Sequence, residues 1–137
     1  MNIAVRYYTR SGNTKKVADA VAAAVGVQAK TVAEPLEEKV DALFLGSSVY
    51  AGGADGSVIK FIADNKDKIG CIYNFSTAFL PVSTYKRISA AAKANGVSVS
   101  EKEFHCKGSF MGMNKSRPDE NDLAAAAEFA KNAVKDV

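Results

Sequence analysis

The sequence predicts an α/β fold: a doubly wound, five-stranded parallel sheet in the order 2-1-3-4-5. Three observations predict it. Strand-like and helix-like segments alternate along the 137 residues with short turn-rich punctuation, the pattern of βαβ units. Three strand-like runs are near-continuously apolar, as strands covered on both faces are. The other two carry polar residues, which suits the exposed edges of a sheet.

Each element follows in order. Residues 2–8 read as a strand, with Ile3, Ala4, Val5, Tyr7 and Tyr8 apolar. Residues 14–25 read as a helix, because Val17, Val21 and Val25 recur at i, i+4 and i+8 beside Ala18 and Ala22. Gly26 closes it as a C-terminal cap. A second strand, 27–32, carries Gln28 and Lys30. A third, 41–49, centres on Ala42-Leu43-Phe44-Leu45. Residues 57–65 form a helix with Val58, Ile59, Phe61 and Ile62 on one face. A fourth strand, 71–76, leads to a helix over 84–94, closed by Asn95-Gly96. A fifth strand, 97–106, alternates through Val97-Ser98-Val99-Ser100-Glu101-Lys102. The last helix starts after Asp119, a good N-cap, with Leu123, Ala127, Ala130 and Val134 as its buried stripe. With the apolar strands one, three and four inside, right-handed crossovers give the order 2-1-3-4-5.

Composition sets the outer bounds. Hydrophobic residues make up 47% and charged residues 24%, which suits one globular domain over 1–137. No run of about 18 uncharged apolar residues exists, so no membrane span is expected. The first residues do not read as a signal peptide. Cys71 and Cys106 are too few for a disulfide or zinc framework, so a reducing cytoplasm is the expected compartment. Eighteen Lys+Arg against fifteen Asp+Glu leave a net charge of +3. No basic run of five appears, so nucleic acid is not an expected partner.

Ligands of such a sheet bind beyond the C-terminal strand ends, near the switch point between strands one and three. Four loops reach that face: 9–14, 47–57, 76–83 and 107–118. The first reads Thr9-Arg10-Ser11-Gly12-Asn13-Thr14. Backbone N–H groups of a tight turn at a helix N-terminus make an anion nest, and the hydroxyls add donors. An ordinary capped turn needs one such side chain; this loop has Thr9, Ser11, Asn13 and Thr14. Rival phosphate sites fail. There is no G-x-x-x-x-G-K-[ST] and no G-x-G-x-x-G. Strand three ends Gly46-Ser47-Ser48, without the aspartate of a phospho-receiver. No arginine lies six residues after either cysteine, since positions 77 and 112 are Thr and Gly.

The loop matches the T-x-[ST]-G-[NT]-T phosphate loop of the flavodoxins, and the element order resembles that family over the whole chain. The resemblance implies a flavodoxin-like fold and non-covalent FMN. It places the ribityl phosphate on Thr9, Ser11, Asn13 and Thr14 and on the amides of Arg10 and Gly12. It implies that the loop carrying Ser48, Tyr50, Ala51, Gly52 and Gly53 meets the N5 edge of the flavin ring. Either Ala51-Gly52 or Gly52-Gly53 is then the peptide that turns its carbonyl to the reduced ring. Tyr50 is a stacking candidate, the alternative being packing on the first helix. Ser76 and Thr77 are candidates for the ribityl or pyrimidine oxygens. Phe79 is placed near the ring, or with Leu80 and Val82 in a small apolar lid or the core. The family often has a stacking tyrosine in this loop, and this chain has none before Tyr85. Strand five has no room for an inserted segment, so the resemblance is to the short-chain form. Met111 and Met113 read as loop packing.

The flavin would carry the chemistry, so no catalytic side chain and no metal ligand are expected. His105 stands alone in an edge strand and reads as structural. Both cysteines read as small core residues. Glu37-Glu38-Lys39 and Lys86-Arg87 read as solvated faces. The implied function is electron transfer through FMN to a redox partner protein or a small-molecule acceptor. Two alternatives are an FMN-dependent oxidoreductase acting on a quinone or porphyrinogen, and a binding module without functional flavin. One feature departs from the family, whose carriers are usually acidic around the flavin. In the four loops Arg10, Lys107, Lys115 and Arg117 face only Asp55, which implies a partner of different charge.

Overall fold

A computed structural model describes residues 1–49, 54–78, 82–109 and 116–137. Its strands are β1 (Ile3–Tyr8), β2 (Ala29–Thr31), β3 (Val40–Ser48), β4 (Ile69–Ala78), β5 (Ser98–Val99) and β6 (Phe104–Lys107). Its helices are α1 (Asn13–Val25), α2 (Gly56–Asn65), α3 (Tyr85–Ala94) and α4 (Glu120–Val134). The strands run β2-β1-β3-β4, with β5 and β6 sharing the far edge of β4. Every pairing is parallel. The predicted order 2-1-3-4-5 is the observed one.

Each face of the sheet buries its own core. Val5, Tyr7, Phe44, Tyr73 and Phe75 cluster with Val17, Ala18 and Val21 of α1 and Ala126, Ala130 and Ala133 of α4. Leu43, Leu45 and Ile72 cluster with Val58, Phe61 and Ile62 of α2 and Ile88 and Ala92 of α3. Strand alternation makes this separation, because successive side chains point to opposite faces. The alternation breaks its apolar rule at Arg6, which is buried in β1. Its guanidinium donates to the carbonyls of Val5, Glu34 and Pro35 at 3.1, 2.9 and 3.3 Å. That ties the turn after β2 to β1.

Two sequence expectations need correction. The fifth strand is two strands. Val99 pairs with Ile72, and Phe104 pairs with Phe75. Four residues, 100–103, therefore lie opposite the two residues Tyr73 and Asn74. The local alternation of Val97 to Lys102 carries no mark of this insertion. The stripe of α4 is also rotated. Ala126, Ala130 and Ala133 are fully buried, while Leu123 and Val134 only flank them and Ala127 is half-buried. Small alanines face inward because α4 packs against α1 as well as the sheet, where short side chains allow close approach.

Helix ends follow their predicted signals. Gly26 takes a left-handed conformation (φ +76°) and its N–H bonds the Ala22 carbonyl. Asp119 caps α4 in a reciprocal capping box with Asp122. The Asp122 N–H donates to Asp119 Oδ1, and the Asp119 N–H donates to Asp122 Oδ2, both at 2.9 Å. Arg117 grips Asp122 with two bonds, at 2.5 and 2.8 Å. These contacts, Arg117 first, hold the Asp122 carboxyl below the usual carboxylate range. A lowered folded pKa stabilises above the unfolded value near pH 4 and is lost as the pH falls through the folded one. Asp122→Asn is expected to lower the stability plateau at neutral pH and to flatten the loss below about pH 4. Urea unfolding across this range tests it; acid limbs of equal steepness would refute the linkage.

Candidate functional site

The loop between β1 and α1 is closed by its own side chains. Gly12 stands at the N-cap of α1 with φ +91°, a conformation that costs a side-chain-bearing residue about 1–2 kcal/mol. Its N–H donates to Thr9 Oγ1 at 2.9 Å. Among the described residues no side chain caps α1, and its first turn holds no acidic residue. The positive end of the helix dipole and its first N–H groups are thus left for something else.

Asn13 is almost fully buried. Its Nδ2 donates to Ser11 Oγ at 3.0 Å and to the Ser109 carbonyl at 2.9 Å. Both amide hydrogens are spent, so the side chain works as a strut between this loop and the segment after β6. Ser109 Oγ returns a bond to Asn13 Oδ1 at 3.3 Å. Gly108 is there because a Cβ would stand 2.7 Å from Asn13 Nδ2. Ser11 and Arg10 are exposed at the loop's tip.

Thr14 is the hub. Its hydroxyl is fully buried and lies 2.8 Å from both Ser48 Oγ and Thr77 Oγ1. The loop thereby joins the C-terminal ends of β3 and β4, whose Ser48 and Thr77 are register partners. Each hydroxyl has one proton to donate. Two bonds among three hydroxyls use two protons and leave a third unspent. Ser47, on the opposite face of β3, is buried, and its hydroxyl has no partner among the described residues. A buried unpaired hydroxyl is uncommon and costly.

Ser76 does not join Thr14. It faces α3 and accepts a long bond from the Thr84 N–H at 3.4 Å. It belongs to a buried polar cluster that sequence reasoning missed. Asn74 Nδ2 donates to Thr84 Oγ1 at 3.0 Å and to Glu103 Oε2 at 3.3 Å. Ser83 Oγ donates to the same Glu103 oxygen at 2.5 Å. The inserted residues 100–103 bring Glu103 there. Asn74 between Tyr73 and Phe75 in a central strand was the available signal. The cluster fixes where β4 ends and α3 begins, so it positions Thr77.

Tyr50, Ala51, Gly52, Gly53 and Phe79 lie outside the described residues, as do Leu80, Met111, Met113 and Lys115. Beyond the first of these gaps, Asp55 caps α2, accepting from the Ser57 N–H at 2.9 Å and Ser57 Oγ at 2.6 Å. These bonds hold its carboxyl low, and Arg10 and Arg87 add to the effect. Burial pushes the Cys71 thiol up and the Cys106 thiol up to about 12, so neither is a ready thiolate. His105 is exposed on β6. No helix among the described residues is long and apolar enough to cross a membrane.

Comparison with known proteins agrees with this geometry. A family model described as a flavodoxin domain matches residues 4–114, from β1 through the segment after β6. The chain belongs to the flavodoxin family. An uncharacterized protein of Methanocaldococcus jannaschii is 31% identical, over 90% of this chain and 91% of its own length. Among solved structures, flavodoxin 1 of Bacillus cereus superposes with a TM-score of 0.76 at 17% identity, covering all of this chain and 99% of that one. A flavodoxin from the domain Archaea gives 0.75 at 17% identity, covering 99% and 98%. The flavodiiron core of a Synechocystis protein gives 0.76 at 17% identity, but this chain spans only 36% of it. The flavodoxin fold thus occurs both as a whole protein and as part of a larger one.

Proposed function

We propose that this flavodoxin-family chain, a single domain over 1–137, binds FMN without a covalent bond and passes electrons to a redox partner. The observation that carries the reading is the Thr14, Ser48 and Thr77 hydroxyl set, which keeps an unspent proton beside an uncapped helix N-terminus. A phosphate monoester supplies acceptors for both. The orphaned Ser47 hydroxyl at the same strand ends fits a site whose polar groups await a ligand.

Thr14, Ser48 and Thr77 would hold the phosphate, with Thr9 and Ser11 on the loop side. Gly12 supplies the turn. Asn13, tied to Ser109, keeps the loop at a fixed distance from the strand ends. Ser76 and its Asn74–Thr84 cluster hold the start of α3 in place. FMN, when bound, supplies one- and two-electron redox chemistry, while the chain supplies binding, orientation and electrostatics.

The test is a fluorescence titration of flavin-free protein with FMN and with riboflavin. FMN emission is expected to change with one-to-one stoichiometry. Riboflavin, lacking the phosphate, is expected to bind at least about 100-fold more weakly, the loss of two charge-assisted hydrogen bonds. Equal affinity for both flavins would overturn the phosphate assignment.

A further inference from the structure

Three of the four helices that begin on the ligand face depart from the usual charge pattern. Acidic side chains favour helix N-termini, where the dipole is positive, and cations oppose it. The first turns of α1, α2 and α3 contain no acidic residue. Those of α1 and α3 instead contain Lys15 and Lys16, and Lys86 and Arg87, all exposed. The same chain follows the ordinary rule at α4, with Asp119 as cap and Glu120 and Asp122 in the first turn. The basic starts therefore oppose helix stability.

Internal pairing removes part of the charge. Lys15 bonds Asp19 at 2.7 Å. Arg117, counted from the sequence among the basic residues of this face, is taken by Asp122. Lys16, Lys86, Arg87 and Lys107 make no ion pair among the described residues. Lys107 is exposed at the end of β6, opposite Ala78 of β4. Arg10 is exposed on the loop after β1, and Arg10 and Arg87 both act on the half-buried Asp55 carboxylate. Among the described residues, the face around the proposed flavin site carries exposed Arg10, Lys16, Lys86, Arg87 and Lys107, against Asp55, occupied in capping α2, and the acidic start of α4.

We propose that this face, through Arg10, Lys86, Arg87 and Lys107, docks an acidic electron-transfer protein. The proposal rests on the FMN reading for its purpose, and on charge complementarity for its partner. The positive field at the starts of α1 and α3 adds to the cations, which steers a carboxylate-rich surface toward the strand ends. Cations set on separate elements match the dispersed carboxylates of a folded protein.

The test uses the ¹⁵N-labelled full chain, with and without FMN, titrated with an acidic plant-type ferredoxin, a basic c-type cytochrome and a poly(U) RNA. Ferredoxin is expected to shift or broaden amides around Arg10, Lys86, Arg87 and Lys107. Its Kd is expected to weaken by about tenfold or more between low and near-physiological salt, as screening sets in. The double variant K86E/R87E should weaken ferredoxin by about tenfold or more. It should leave FMN affinity unchanged and raise the melting temperature, because it places acids where the α3 dipole favours them. That rise separates lost docking from lost folding. Tighter binding of the cytochrome or the RNA, perturbations confined to α4, or an unaffected variant would overturn the proposal. Ferredoxin binding without FMN binding would keep the surface and refute the flavin reading; FMN binding without ferredoxin binding would do the reverse.

Discussion

Replacing Gly46 with alanine is expected to lower the unfolding free energy by about 1–3 kcal/mol, the cost of overpacking a close-fitted core. Gly46 lies in β3, where its register partner on β4 is Phe75. A Cβ at position 46 would stand 2.0 Å from Phe75 Cε2 and 2.2 Å from Cζ. The glycine backbone is not in the left-handed region, so the penalty is one of space alone. Phe75 is fully buried, in the cluster that includes Phe44 and Tyr73. Its ring has nowhere to swing, and a packed interior transmits such a strain. Urea denaturation of Gly46→Ala, Phe75→Leu and the double variant makes a mutant cycle. The double variant is expected to recover part of the loss. A Gly46→Ala change under about 0.5 kcal/mol, the range of a neutral surface substitution, would show that the ring does not need the missing side chain.

Thr14→Val is the second large effect, and it falls on function. Valine keeps the shape of threonine and removes the hub of the hydroxyl set. Ser48 and Thr77 each lose a partner at 2.8 Å. The expected loss of FMN affinity is about 10- to 150-fold, one charge-assisted hydrogen bond of roughly 1.5–3 kcal/mol. The folded state should also lose about 1–3 kcal/mol from hydroxyls left unpaired. Riboflavin separates the two roles, since it lacks the phosphate. Its affinity should be nearly the same for both proteins. An equal fall for FMN and riboflavin would make Thr14 a structural post rather than a phosphate ligand.

Much of this was legible because the signals are local. Gly26 and Asp119 mark helix ends by chemistry that needs no distant partner. The apolar runs of strands one, three and four announce a sheet covered on both faces, and that suffices for strand order. The Thr9–Thr14 motif carries its own hydroxyls, so the loop was visible as a unit. What the sequence hid depends on contacts far along the chain. Asn13 looked like a phosphate donor, and Ser11 with the distant Ser109 takes its amide hydrogens. Ser76 and Thr77 looked like one pair of ligand residues. The pleat of β4 sends them to opposite faces, where Thr84 takes one and Thr14 the other. The cations of Lys86 and Arg87 looked like a solvated helix face. Their position at the start of α3, with Arg87 acting on Asp55, is what the docking proposal rests on. Arg117 shows the converse, since its charge is cancelled by a residue five places on.

The two extra residues opposite Tyr73 and Asn74 divide one edge of the sheet into separate cooperative units. β5 is joined to the base of β4 through Cys71 and Ile72, while β6 is joined to its upper half through Phe75 to Ala78. No continuous ladder links them. Opening β6, with Lys107 and the Ser109 support of Asn13, need not peel β5 away, because local unfolding follows contiguous hydrogen-bonded blocks. β6, which supports the Thr9–Thr14 loop through Ser109, can thus exchange with solvent on its own timescale, while the base of the sheet and the helices packed on it stay closed.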